Sequence, residues 1–232
     1  MIEARKRRGQ NMSNGAATRV RRSREKILAA AEQAFLHNGF LGANMDRISE
    51  HAGVSKQTVY AHFQSKEALF LEVIAAMTGG AAHDIGEDVE DRLDDRPVGD
   101  YLATVAIDQL RVVMTPRLMQ LRRMVIGESE RFPALGRALY ENGPKVSIRR
   151  VGRALAHYIA LGQIRPCDPD RAAQQFNWLV MGAPTNAAML LGDSGIPSRA
   201  ELQAHALEAV RIFLAAYAMP GFTGDRAAPG AT

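Results

Sequence analysis

An all-α fold is predicted, with an N-terminal three-helix helix-turn-helix unit joined to a larger helical body. Three observations carry this. Apolar residues recur at three- and four-residue spacing in one segment after another. No segment alternates strictly enough to make a strand. Residues 52–63 join a small-residue turn to a very short helix with an apolar back and a polar front.

The first helix is expected from Ser23, as cap, to about Asn38, with Ile27, Leu28, Ala31, Ala34 and Phe35 on one face and Gly39 as its left-handed stop. Asn44 is placed to cap a second helix, Met45 to His51, with Ile48 turned inward. Ala52 and Gly53 are small enough for one helix to end and another to cross it closely. Ser55 can then cap the short third helix, because its hydroxyl accepts from an orphan amide one turn on. Val59 and Phe63, four apart, face the same small core as Ile48. Lys56, Gln57, Thr58, Tyr60 and His62 fall on or beside the outward face, and every one can hydrogen-bond. A major groove accepts such a helix.

Ser65-Lys66-Glu67 opens a connecting helix through Leu69, Phe70, Val73, Ile74 and Met77, which then meets Gly79-Gly80. Two interior glycines make this a soft spot, costing about 2 kcal/mol relative to alanine. A hinge, a helix end and a close helix crossing all fit it. An acidic stretch follows, in which His83 and Glu87 sit one turn apart; a solvated helix end explains them better than a metal.

Pro97 starts the body. Tyr101 to Leu110 gives one amphipathic helix, ending near Thr115-Pro116, and Leu118 to Val125 another, to about Phe132-Pro133. Asn142-Gly143-Pro144 precedes a helix through Ile148 and Ile159 that stops at Gly162. Asp168-Pro169 caps a helix from about Asp170 to Leu191, and Pro197-Ser198 opens the last, through about Ala218.

Charge separates the two parts. Residues 1–70 carry 12 Lys/Arg against 6 Asp/Glu, and residues 71–232 carry 17 against 19, which together give the chain's net +4. Residues 1–22 read as a flexible basic arm, with Arg5, Lys6, Arg7 and Arg8 ahead of a polar stretch from Gln10 to Gly15. Such an arm gains affinity for DNA by releasing counterions. Arg21, Arg22 and Arg24 are assigned to DNA, while a solvated tail and minor-groove insertion weigh equally for Arg5 to Arg8. No apolar run approaches a membrane span, the N-terminus lacks the apolar stretch of a secretory signal, and Cys167 alone forms no internal disulfide. Cytoplasmic residence is expected. A nucleophile elbow, a metal-ligand cluster and a phosphate-cradling glycine loop are all missing, so an enzyme is not expected, and no cofactor or metal is implied.

Residues 23–70 resemble the DNA-binding domain of the tetracycline-repressor (TetR) family of bacterial regulators. The likeness rests on Ile27, Ala31, Phe35, Gly39, Phe40, Ile48, Ala52, Gly53, Val54, Ser55, Thr58, Tyr60, Phe63, Lys66, Glu67 and Leu69. Two positions depart from it: Asn44 stands where the family often has Thr, and Gln57 where it often has Gly. Gln57 adds a side chain that can pair with an adenine edge. The body resembles, less strongly, a proteobacterial type of C-terminal domain of this family, through Arg122, Arg123, Ile126, Glu128, Arg131, Phe132 and Pro133, then Tyr140, Gly143, Pro144, Ala173, Phe176 and Gly182.

The resemblance implies three working parts: a head at residues 23–70, a ligand-binding and dimerisation body at 71–220, and a flexible tail at 221–232. In the head, Lys56, Gln57 and Thr58 are expected to read bases, and Asn44, Tyr60, His62 and Lys66 to contact phosphates beside Ser55. In the body, Met114, Met119, Phe132, His157, Phe176, Trp178, Met181 and Met189 are candidate pocket residues, with Arg122, Asn177 and Asn186 as polar partners. The last two helices are expected to pair with their copies in a homodimer, using Ala172, Phe176, Leu179, Val180, Ala183, Ala187 and Leu190, then Leu207, Val210, Phe213, Leu214 and Tyr217. The function implied is a repressor that binds a palindromic double-stranded DNA operator and is released by a small molecule, with no membrane role. A ligand-independent architectural DNA-binding protein or an activator is the alternative.

Overall fold

A computed structural model describes residues 2–84 and 96–222 of the chain, with side chains for 17–80 and 96–222. Helix α1 (Ile2–Gly42) breaks at Gly39, whose φ of 72° suits a residue without a Cβ. Its start corrects the expectation of an arm and a Ser23 cap. Ser23 lies inside α1, and its buried hydroxyl has no hydrogen-bond partner. The physical reason is that residues 2–22 contain no proline and include six arginines and three alanines, so a helix nucleated downstream propagates through them. The side chains of Arg5 to Arg8 lie outside the described residues.

Helices α2 (Met45–Ala52) and α3 (Lys56–His62) form where the spacing predicts them. Asn44 accepts from the amide of Asp46 at 2.7 Å, and Ser55 accepts from the amide of Thr58 at 3.1 Å. Gly53 sits between them in the left-handed region, at φ 63° and ψ 36°. Ile48, Val59 and Phe63 are buried together with Phe35, Phe40 and Phe70.

Helix α4 (Lys66–Asp84) runs unbroken through Gly79 and Gly80. A Cβ at either glycine would meet nothing within 4 Å, so neither ends the helix nor admits a close crossing. Alanine is therefore tolerated sterically. Gly79→Ala/Gly80→Ala is expected to add about 2 kcal/mol and to raise the melting midpoint by roughly 4–8 °C, checked by thermal denaturation. Glu87 and the rest of the acidic stretch to Asp95 lie outside the described residues, so the His83–Glu87 pair is not described.

The body contains α5 (Val98–Val113), α6 (Pro116–Glu128), α7 (Pro133–Asn142), α8 (Pro144–Ala160), α9 (Pro169–Leu191) and α10 (Arg199–Tyr217). Asp168 caps α9, and Ser198 with Glu201 forms a reciprocal box at the start of α10. Helix α7 was not anticipated. It is only ten residues long, and its inward side chains, Leu135 with Ala138 and Leu139, acquire their meaning from packing against α4. Among the described residues there is no named strand, and a lone antiparallel bridge joins Ile164 to Ala218. No described helix is long and apolar enough to cross a membrane.

Among the described residues, two apolar clusters hold the fold. One fills the body with Tyr101, Leu102, Leu155, Tyr158, Phe176 and Phe213. The other begins in the helix-turn-helix unit and does not stop at residue 70, because Val73, Ile74 and Met77 of α4, Leu121 and Val125 of α6 and Leu135 of α7 belong to it. Much of the anticipated dimer surface lies inside the chain. Ala172, Phe176, Val180, Val210, Phe213 and Leu214 are buried in the body core, because α9 and α10 must first cover α5 and α8. Ala183, Leu190 and Leu207 stay exposed, and they are joined by Leu191 and Ile212.

Candidate functional site

The outward face of α3 follows from its burial pattern. Val59 is fully enclosed, so Lys56, Gln57, Tyr60 and Ala61 point to solvent, Tyr60 with 43 % of its surface open. Thr58 is half-buried, and its hydroxyl is engaged with that of Ser55 at 2.8 Å. Lys56 donates to Asp46 of α2 at 2.7 Å, and that hydrogen bond raises the pKa of its ammonium. The contact braces α3 against α2. Gln57 beside it is exposed and carries no charge. His62 is half-buried beside Phe63, with ring centroids 6.0 Å apart. Sequence reasoning passed over Ala61, four residues beyond Gln57 on the same face. Helical spacing would have found it, and a methyl there suits a thymine.

The cations divide into two groups. Arg21 and Arg22 are exposed, with Arg21 3.9 Å from Glu25. Arg24 pairs with Glu72 of α4 and lies 5.4 Å from the Phe63 ring centroid. Lys66 also has partners within the chain. Its ammonium donates to the carbonyls of Leu41 at 3.1 Å and Ala43 at 3.2 Å, and it sits over Phe40 at 4.9 Å. Those carbonyls are left over where α1 ends, and a cation close to them satisfies both.

The body encloses a cavity of about 510 Å³ between α5, α6, α8 and α9, with Thr78 of α4 at one edge. Of the anticipated lining residues, Met119, Arg122, Asn177, Trp178 and Met181 are there, together with Met189 and Asn186. Met114, Phe132, His157 and Phe176 are not. Met114 and Phe176 are packed in the body core, where Phe176 meets Phe213 edge-on at 5.2 Å. His157 lies against Tyr158 at 5.4 Å, its Nε2 buried without a partner. Phe132 turns the other way and meets Phe40 edge-on at 4.8 Å. Gln109 also lines the cavity and was missed; its amide donates to Asn177 Oδ1 at 3.0 Å. A glutamine on an apolar helix face was its only signal. A second cleft of about 640 Å³, with Gln33, His37, Arg47 and His51 on its walls, lies between α1, α2 and α6 and opens to solvent.

Helix α6 faces both ways. Leu118, Met119 and Arg122 line the cavity. On its other side Arg117 grips Glu32 of α1 with two bonds, 2.5 and 2.7 Å, and Gln120 donates to the Leu36 carbonyl at 2.6 Å.

Comparison with known proteins agrees with this arrangement. Residues 27–73 match the family model for bacterial regulatory proteins of the tetR family, and residues 100–219 match the model for the C-terminal domain of AefR-like transcriptional repressors. A TetR-family transcriptional regulator from Mesorhizobium loti MAFF303099 superposes with a TM-score of 0.80 at 35 % identity, over 87 % of this chain and 99 % of that one. The chain belongs to the TetR family. A second TetR-like structure, the flavonoid-responsive regulator FrrA, has a TM-score of 0.70 at 32 % identity and covers 86 % of this chain and 98 % of its own. Among curated relatives, the transcriptional activator FasR of Mycolicibacterium smegmatis is 45 % identical over 51 residues, 22 % of this chain and 23 % of FasR. As a TetR-family member, the protein is a DNA-binding transcription regulator and not an enzyme. Its helix-turn-helix unit is α2 and α3, backed by α1. Cys167 is a free, half-buried thiol whose pKa burial raises.

Proposed function

We propose that this TetR-family regulator is a cytoplasmic repressor that binds a palindromic operator as a homodimer and leaves it when a small molecule enters the body cavity. The observation that carries this reading is the double role of α6. A ligand pressing on Met119 or Arg122 moves the helix whose opposite side holds α1 through Arg117–Glu32 and Gln120–Leu36. Thr78 gives the cavity a second edge on α4, one residue before the glycine pair. Shifting the heads from operator spacing needs the ligand to favour the released shape about a hundredfold, within ordinary coupling energies. Two reading helices then meet successive major grooves about 34 Å apart.

The C-terminal match to AefR-like repressors and the likeness to a regulator titled flavonoid-responsive support a ligand-released repressor. FasR, named an activator, supports the alternative, but its likeness spans 51 residues. Genome-wide footprinting followed by gel shifts with aromatic small molecules tests the proposal. Operator release at micromolar ligand is expected; an operator affinity indifferent to every compound points to an architectural role.

Within the head, Gln57, Lys56 and Thr58 are assigned to bases, and Asn44, Tyr60, His62, Arg21 and Arg22 to phosphates. Gln57→Ala is expected to weaken the true operator by about 1–3 kcal/mol and to relax preference at one or two positions. Arg22→Ala should weaken all duplexes alike and flatten the salt dependence by about one unit of slope. A gel-shift panel in which the two variants exchange these patterns overturns the assignment.

A further inference from the structure

Residues 122 and 123 are adjacent arginines with opposite circumstances. Arg123 is fully employed: it donates to the Ala188 carbonyl at 2.9 Å and to Asp193 at 2.6 Å. Arg122 is half-buried and turned to the cavity, and among the described residues no carboxylate pairs with it. The cavity lining contains no Asp or Glu and no second Lys or Arg among the described residues. Its other polar groups are neutral. The Gln109–Asn177 amide pair lies on one wall, and Thr185 contributes a buried hydroxyl that has no partner. Met119, Met181, Leu118 and Ile148 make much of the remaining wall apolar. Trp178, with 71 % of its surface open, stands at the mouth as a flat ring without a cover.

An unpaired guanidinium in such surroundings is unfavourable until an anion reaches it. Burial lowers the pKa of Arg122, yet arginine keeps its charge in proteins. Water in the open cavity meets that charge only in part, and an anion that enters meets it directly. A planar guanidinium fork suits a carboxylate or an acidic phenolic oxygen, and the thioether and aliphatic walls suit an apolar body behind it.

We infer that the cavity takes an amphipathic organic acid, an aromatic body with one anionic oxygen, whose charge is neutralised by Arg122 and whose ring stacks on Trp178. This rests on the proposal that the cavity is the effector site, and it names the class of effector. Neutral aromatics of the same shape should enter poorly. Entry of the acid draws Arg122, and with it α6, toward the ligand.

The test uses the full-length protein and matched probes: 2-naphthoate against 2-naphthamide, and an acidic hydroxyflavone against its methyl ether. Trp178 is the chain's one tryptophan, so its fluorescence reports occupancy at the mouth directly. The acid member of each pair should bind at least ~30-fold tighter than its neutral partner, the scale of a desolvated charge pair. In Arg122→Met that preference should shrink to within about threefold, while the ligand-free melting midpoint holds or rises, since an uncompensated charge has gone. Arg122→Lys, which retains charge without the fork, should fall between. A carboxylate pair that discriminates while the phenol pair does not identifies the anion as a carboxylate, and the reverse identifies a phenolate. Equal binding of acid and neutral partners to the unaltered protein overturns the inference but leaves the cavity as an effector site. An acid preference that survives Arg122→Met and Arg122→Gln overturns it too. No binding by any probe overturns both this inference and the effector site.

Discussion

Leu190→Glu/Leu207→Glu should give a folded monomer that binds its operator at least ~100-fold more weakly. Leu190 is 75 % exposed and Leu207 47 % exposed, so neither supports the fold of its own chain. The same two helices carry further open apolar side chains, Ala183 and Leu191 on α9 and Ile212 on α10, as expected of helices that pair with a second copy. Two-fold pairing would place four new carboxylates in one apolar contact, each costing several kcal/mol to desolvate. Once the pair separates, each head meets its half-site alone and loses the 10²–10⁴ gained by linking two sites. Sedimentation reads the mass, circular dichroism the helix content, and a gel shift the operator affinity. A variant that remains a dimer at micromolar concentration would move the interface off these helices.

How much of this was legible in the sequence follows from where each fact is stored. The helix-turn-helix unit is written within fifty contiguous residues, where Asn44, Gly53 and Ser55 mark their own turns and Ile48, Val59 and Phe63 their own core. Those signals act over a few residues, so periodicity and capping recover them. The cavity is different. Met119 and Met181 reach it while Met114, an equally apolar methionine just past the end of α5, is in the core. Residue type records apolarity and does not record which neighbour lies opposite. The partners that Lys66 and Arg24 find within the chain were missed for a related reason. A cation near a reading helix suits phosphate by type, but the carbonyls left open at the end of α1 and the carboxylate of Glu72 are nearer. Ser23 was taken for a cap because it precedes an apolar run, and the weaker upstream signal, a proline-free stretch holding several helix formers, was outweighed by the polar residues from Gln10 to Gly15.

Phe70→Ala should destabilise the head by about 3–5 kcal/mol, enough to abolish operator binding at growth temperature. Phe70 is fully buried in the first turns of α4. Its ring lies 4.5 Å from Phe35 and 5.2 Å from Phe40, and Phe132 of the α6–α7 turn closes the group edge-on against Phe40 at 4.8 Å. Ring pairs of this kind are worth about 0.5–1.5 kcal/mol beyond the area they bury. Four rings from α1, α4 and the body thus meet in one group, and removing Phe70, which touches both α1 rings, leaves a cavity there. The total stability of a domain is only about 5–15 kcal/mol, so a loss of this size is a large fraction of it. The body cluster around Tyr101, Tyr158, Phe176 and Phe213 does not include Phe70. Trp178 fluorescence should therefore still report a folded body when DNA binding has gone. Phe70→Leu, which refills most of the volume, should recover at least half of the lost stability in urea denaturation. Equal losses for Ala and Leu would mean that ring-to-ring contact, and not filled space, holds the head to the body.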